Sequence, residues 1–238
     1  MNIRTILIDD EKLARQELRF LLKEFQNIEI IDEAENADDG IKKINELQPD
    51  LIFLDINMPG KTGFEMLQEI EHVPAVIFAT AYDQYAIKAF EANALDYLLK
   101  PIREERLSKA IVKVIAELKT TADNKQVASA DRKVFIKDGE KCYFVNMADI
   151  FLVESVGNYA RLYFENQSPL LHKSLNQLEE KMPGNVFFRV NRQQIININY
   201  IKDIAAFFKG GLLIELKSGN KVEVSNRQAV KFKELMSL

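Results

Sequence analysis

Five polar residues stand where chemistry is possible: Asp9-Asp10, Asp55, Thr80 and Lys100. Each follows a short apolar run. Leu51-Ile52-Phe53-Leu54 ends abruptly in Asp55, with Pro59 and Gly60 close behind. An apolar run bounded by turn residues predicts a strand buried on both faces, as in a parallel sheet. Asp55 then falls at the carboxyl end of its strand, where open α/β sheets bind their ligands. Asp after a strand can instead cap the next helix. Here Thr62, with Glu65 three residues on, offers the better cap and leaves Asp55 available. Three carboxylates in one crevice repel one another, and a hard cation with oxygen ligands, such as Mg²⁺, relieves this. Adding a lysine and a hydroxyl gives the parts needed to position and neutralise a phosphoryl group. The alternative is a set of unrelated caps and surface charges.

The elements that must position these groups follow from hydrophobic period. Strands are expected at Ile3–Ile8, Ile28–Ala34, Leu51–Leu54, Ala75–Ala79 and Leu95–Leu99. Helices are expected at Glu11–Phe25, Ala37–Leu47, Gly63–Ile70 and Gln84–Glu91, with a last one through Leu107, Ile111, Val114, Ile115 and Leu118. Five strands alternating with helices predict a doubly wound parallel sheet of flavodoxin-like type. In such a sheet all five strand ends lie on one edge, so the polar groups converge.

Residues 121–132 have no apolar period and read as a linker, or as an extension of the preceding helix. Beyond them the period shortens to two. Asp138-Gly139, Gly157-Asn158 and Ser218-Gly219-Asn220 separate pairs of alternating runs and predict three hairpins. A short helix is expected at Leu175–Met182, and a last one at Ala229–Leu238 behind a Ser225/Gln228 capping box. The second half is therefore mainly antiparallel β, and the domains are expected at 1–120 and 133–238.

The net charge of −4 is unevenly spread. Residues 131–238 hold 16 Lys and Arg against 12 Asp and Glu, while the first 130 hold 16 against 24. An acidic half joined to a mildly basic one fits a cation site in the first and a polyanion partner for the second. The single Cys142 excludes an intrachain disulfide and reads as a small buried apolar residue in a protein of a reducing compartment. No apolar run reaches the roughly 18 residues of a membrane span. The amino terminus meets Asp9-Asp10-Glu11 too soon for a signal peptide, so a cytoplasmic protein is expected.

Asp9-Asp10, Asp55, Thr80, Tyr97 and Lys100-Pro101, at these spacings, resemble the receiver domain of two-component response regulators. The resemblance implies that Asp55 accepts a phosphoryl group from a sensor histidine kinase. It implies Mg²⁺ held by Asp9, Asp10, Asp55 and the backbone carbonyl of Asn57, and Lys100 paired with a phosphoryl oxygen ahead of a cis bond to Pro101. Thr80 and Tyr97 would be the switch residues, and the phosphorylated receiver would form a homodimer. In the second half, Phe187 to Asn197 (Phe-Phe-Arg-Val-Asn-Arg-Gln-Gln-Ile-Ile-Asn), with Lys173-Ser174-Leu175 before it and Val224-Ser225 and Arg227 after, resembles the LytTR DNA-binding domain. That family implies loops that enter the major groove of double-stranded DNA at direct repeats. The matching residues are Asn158, Tyr159, Arg189, Asn191, Arg192 and Arg227. Family members often carry His where this chain has Asn191, and Ser where it has Gln193.

Each residue has a plainer role available. Arg189 lies in an apolar strand and could serve structure through a carboxylate, and Asn158 could simply supply a positive φ. Arg192 and Arg227 suit DNA better, since Arg reads guanine and holds phosphate. Two other functions compete with transcription regulation. One is a phosphohydrolase using Asp55 as nucleophile, which the Asn at position 57 disfavours, since a second acid is usual there. The other is a receiver whose β-rich half binds protein or RNA.

Overall fold

A computed structural model describes residues 2–236, except 71, 82–94, 124–131 and 140. The helix expected at Gln84–Glu91 lies outside the described residues. The chain forms two compact units, one of residues 1–128 and 132–145, the other of 129–131 and 146–238.

In the first unit the strands are β1 (Ile3–Ile8), β2 (Ile28–Ala34), β3 (Leu51–Leu54), β4 (Ala75–Thr80) and β5 (Asp96–Leu99). They form a parallel sheet in the order β2-β1-β3-β4-β5, as the alternating pattern predicts. Helices α1 (Lys12–Leu22), α2 (Ala37–Leu47), α3 (Gly63–Glu69) and α4 (Glu104–Asp123) cover it. Successive strand side chains point to opposite faces, so an all-apolar strand needs cover on both. Ile52 and Leu54 of β3 pack with Ile44, Phe64 and Leu67 on one face. Leu51 and Phe53 pack with Leu18, Leu22, Leu107 and Ile111 on the other. The start of α3 is fixed by the expected capping box of Thr62 and Glu65. α1 is shorter than its apolar stripe, ending at Leu22 rather than Phe25. α4 runs through Asp123, so the expected linker begins as helix.

The two-stranded hairpin β6 (Lys133–Asp138) and β7 (Lys141–Asn146) turns through Gly139 at φ 59°. Its period of two suggests the second half, but its apolar face joins the first unit. The Phe135 ring stacks on Phe64 of α3 at 6.2 Å and meets Phe144 edge-on at 5.1 Å, while Cys142 is buried in the same cluster. The Val73 N–H donates to the Lys133 carbonyl at 3.3 Å, and Lys133 pairs with Glu117 of α4.

The second unit holds β8 (Ile150–Val156), β9 (Tyr159–Phe164), β10 (Leu170–Leu171), β11 (Phe187–Arg189) and β12 (Gln194–Asn197) in one sheet of order β10-β9-β8-β12-β11. A second sheet holds β13 (Ile201–Ala206), β14 (Leu212–Leu216) and β15 (Lys221–Val224). Their inner faces meet in one cluster with Leu152, Ile196, Ile214, Val222 and Phe232. Helix α5 (Leu175–Lys181) starts at a capping box of Ser174 and Gln177. Helix α6 (Asn226–Leu235) follows Ser225, whose side chain makes no capping hydrogen bond, so the expected box with Gln228 does not form. Among the described residues no helix is long and apolar enough to cross a membrane.

Candidate functional site

The carboxyl edge of the parallel sheet gathers the acidic groups. Asp9 follows β1 and Asp55 follows β3, each 6% exposed, while Asp10 faces outward. Ligand oxygens of all three lie within 4.8 Å of one another. Lys100 reaches in from beyond β5, with Nζ 2.7 Å from Asp9 Oδ2 and 3.3 Å from Asp55 Oδ2. The cis Lys100–Pro101 bond is present, and the Lys100 N–H donates to the Thr80 carbonyl at 2.8 Å. The Asn57 N–H donates to Asp55 Oδ1 at 3.3 Å, and the Glu11 N–H to Asp9 Oδ1 at 3.0 Å. Gly63 closes the site from behind: a Cβ there would lie 2.5 Å from the Asp55 carbonyl oxygen.

Burial raises the pKa of Asp9 above the usual carboxylate range; the hydrogen bond and charge of Lys100 offset it only in part, and Asp55 adds repulsion. Burial works against charge on Lys100 too, but its hydrogen bond to Asp9 and the charges of Asp55 and Asp9 outweigh it and raise the ammonium. The pair is thus asymmetric: the site favours the charged form of Lys100 and, chiefly through burial, disfavours that of Asp9.

Thr80 is fully buried, and among the described residues its Oγ1 has no hydrogen-bond partner. A buried hydroxyl without a partner is costly and calls for an explanation. Tyr97, opposite Phe78 in the β4–β5 register, is already inside, at 7% exposed within the core.

In the second unit the exposed candidate residues fall on the β8–β9 turn, the loop before β12 and the start of α6. Asn158 and Tyr159 are exposed at the β8–β9 turn. The positive φ there belongs to Gly157, at 59°, so Asn158 is not needed for it. The Tyr159 ring meets His172 edge-on at 5.0 Å. Arg192 and Gln193 are exposed on the loop before β12, and Arg227 is exposed on the first turn of α6. Arg192 and Gln193 line a cleft of about 860 Å³ together with Phe207, Phe208, Ser225 and Asn226.

Arg189 and Asn191 are differently occupied. Arg189 donates from Nε to the Asn191 carbonyl and from Nη2 to the Arg192 carbonyl, both at 2.8 Å, and from Nη1 to Glu179 at 3.0 Å and Asn176 at 3.2 Å. Its guanidinium is taken up in shaping the loop, in line with the structural role a strand position offers. Asn191 donates from Nδ2 to Gln194 Oε1 and the Glu223 carbonyl, and its Oδ1 accepts from the Gln193 N–H. Glu154 and Gln194, which sequence reasoning passed over, form the other end of this network, at 2.7 Å. Their one signal in the sequence is polarity at ends of otherwise apolar strands.

A parallel sheet with an acid cluster and a lysine at its carboxyl edge, followed by a β-rich unit, is the build of a signalling receiver joined to an output. Comparison with known proteins agrees. Residues 5–112 match the response regulator receiver domain and residues 140–237 the LytTr DNA-binding domain. The chain is 35% identical over 240 residues to the sensory transduction protein LytT of Bacillus subtilis, covering 99% of this chain and 100% of that protein. It is 33% identical over 246 residues to the transcriptional regulatory protein LytR of Staphylococcus aureus, with the same coverage. The solved response regulatory domain of protein mrkE from Klebsiella pneumoniae shares 35% identity, over 52% of this chain and all of that one, at a TM-score of 0.43. The chain belongs to the LytT/LytR family of response regulators, which join a receiver domain to a LytTR DNA-binding domain. It is a regulator of transcription rather than an enzyme, which removes the phosphohydrolase reading.

Proposed function

We propose that Asp55 accepts a phosphoryl group from a partner histidine kinase, and that this drives pairing through the first unit and binding to direct repeats on double-stranded DNA. The observation that carries the proposal is Asp55 itself, buried beside Asp9 and Asp10 and ion-paired with Lys100. The donor set is all oxygen and more negative than one lysine neutralises, which fits Mg²⁺. Asp9, Asp10 and Asp55 would hold it by their carboxylates and Asn57 by its carbonyl. When bound, Mg²⁺ supplies charge neutralisation for the transferring phosphoryl group.

The chain's own residues supply the rest. An Asp55 carboxylate oxygen attacks phosphorus while the bond to the kinase histidine breaks. Lys100 transfers its ammonium contact from Asp55 to a phosphoryl oxygen. Thr80 gives its hydroxyl to the same group, and Tyr97, already turned inward, packs behind it. The acyl phosphate becomes a local dianion that both switch residues answer. Two DNA-binding units held together raise each other's effective concentration at neighbouring repeats, so weak single contacts become occupancy. On this reading Arg192 and Arg227, and with them Asn158 and Tyr159, meet DNA, which their exposure supports.

The test is selection of full-length protein against a random-sequence duplex library at fixed salt, with and without a small-molecule phosphodonor and Mg²⁺. Wild type should enrich paired repeats, more strongly with donor, and Asp55→Asn should lose the donor effect. Arg192→Ala or Arg227→Ala should weaken binding with the fold intact. Enrichment indifferent to donor would refute the switch, and no enrichment from a folded protein would point to protein or RNA as partner.

A further inference from the structure

We propose that Glu154, Gln194 and Asn191 are positioning residues for DNA reading, a directional hydrogen-bond relay that sets the shape of the Arg192–Gln193 loop. This rests on the reading of that loop as a DNA contact.

The relay runs between strands that sequence keeps far apart. Tyr163 Oη donates to Glu154 Oε2 at 2.5 Å, and Gln194 Nε2 donates to Glu154 Oε1 at 2.7 Å. Asn191 Nδ2 donates to Gln194 Oε1 at 2.9 Å, and the Gln193 N–H donates to Asn191 Oδ1 at 2.8 Å. Burial, then the hydrogen bond to Glu154, raises the Tyr163 hydroxyl above its ordinary pKa, which keeps it a donor.

Direction follows from chemistry. A carboxylate only accepts, whereas an amide presents a donor on one side and an acceptor on the other. Glu154 therefore fixes the Gln194 amide with its nitrogen inward and its oxygen toward Asn191. That oxygen fixes the Asn191 amide with its nitrogen toward Gln194 and its oxygen toward the Gln193 N–H. The Asn191 nitrogen also donates to the Glu223 carbonyl at 2.8 Å, four residues before Arg227. Backbone bonds run along the same path: Ser155 N–H to the Gln193 carbonyl at 2.8 Å and Ser225 N–H to the Val190 carbonyl at 3.0 Å. One acceptor on β8 thus orders the loop between β11 and β12 and ties it to the strand that leads into α6. Arg189 closes the loop from below through the Asn191 and Arg192 carbonyls. None of these three side chains needs to touch a base.

The experiment compares wild type, Gln194→Glu and the swapped pair Glu154→Gln/Gln194→Glu, all full length, treated with phosphodonor and Mg²⁺. Each is titrated with the duplex that wild type enriches from the random library and with a shuffled duplex of equal length. The readout is the ratio of the two affinities, beside a thermal melt. In Gln194→Glu two carboxylates face each other and the relay breaks. Its affinity ratio should fall about tenfold, the scale of one well-aligned base contact. The swapped pair has the wild-type net charge and rebuilds the relay: the amide now on β8 donates to the carboxylate now on β12, which still accepts from Asn191. Its ratio should return to within about threefold of wild type. A Gln194→Glu ratio equal to wild type, an equal loss on both duplexes, or a swapped pair as weak as the single variant would overturn the inference. A wild type that enriches no duplex would overturn the base-reading assignment beneath it, a separate and visible failure.

Discussion

Replacing Phe135 with Ala should destabilise the first unit and leave the second unchanged, although Phe135 follows the expected linker. The ring is 6% exposed and lies between Phe64 and Phe144. Truncating a buried Phe costs about 3–5 kcal/mol through lost transfer energy and the cavity left behind. Two aromatic partners put this site in the upper part of that range. For a unit of this size the loss corresponds to a drop of about 10–20 °C in its melting temperature. Scanning calorimetry measures the drop, and hydrogen exchange read by mass spectrometry assigns it. Amides of β1, β3, β6 and β7 should lose protection by about 10³- to 10⁴-fold, with those of β8 and β12 unaltered. Lost protection in β8 and β12 while β1 and β3 keep theirs would refute the packing argument and return the hairpin to the second unit.

Two further outcomes follow from the first unit's charges. Lys100→Ala should slow phosphorylation of Asp55 by a phosphodonor about 10²-fold, the scale of removing one preorganised electrostatic contact; an unchanged rate on phosphate-affinity gels would refute its role. Burial works against charge on Asp96, but hydrogen bonds from Arg106, the Tyr97 N–H and Lys113 outweigh it and hold its carboxyl below the usual range. A depressed folded-state pKa gives stability that is present above the unfolded value of about 3.9 and lost as pH falls through the folded one. Asp96→Asn should therefore be less stable at pH 7 and show a shallower acid limb in urea melts, and an unaltered limb would refute the assignment.

Much of the first unit is legible in sequence because a buried parallel strand writes itself as an unbroken apolar run. Leu51–Leu54 could only be covered on both faces, and the polar residue ending each run marks the sheet edge. Hairpins are legible from glycine, as the positive φ of Gly139, Gly157 and Gly219 bears out. What a period of two does not state is the partner. Phe135 alternates correctly whether its face meets α3 or another sheet, so the hairpin's allegiance is hidden. The Ser225 box fails for a related reason: its N–H goes to the Val190 carbonyl, and tertiary bonding decides that turn. Among the DNA-face residues, type names the arginines but not their employment. Arg189 is engaged by the Glu179 and Asn176 side chains and two loop carbonyls while Arg192 stays exposed, and Glu154 and Gln194 meet only through the register of β8 with β12.

Cys142 is the chain's one thiol and, on β7, is 2% exposed on the hairpin's inner face. Electrophiles and oxidants reach it only when the hairpin lifts, so its alkylation rate equals the intrinsic rate scaled by the fraction of open molecules. The native protein carries its own chemical clock for that opening, and a copy under oxidative stress cannot cross-link to another through this sulfur until the hairpin has left the first unit's core.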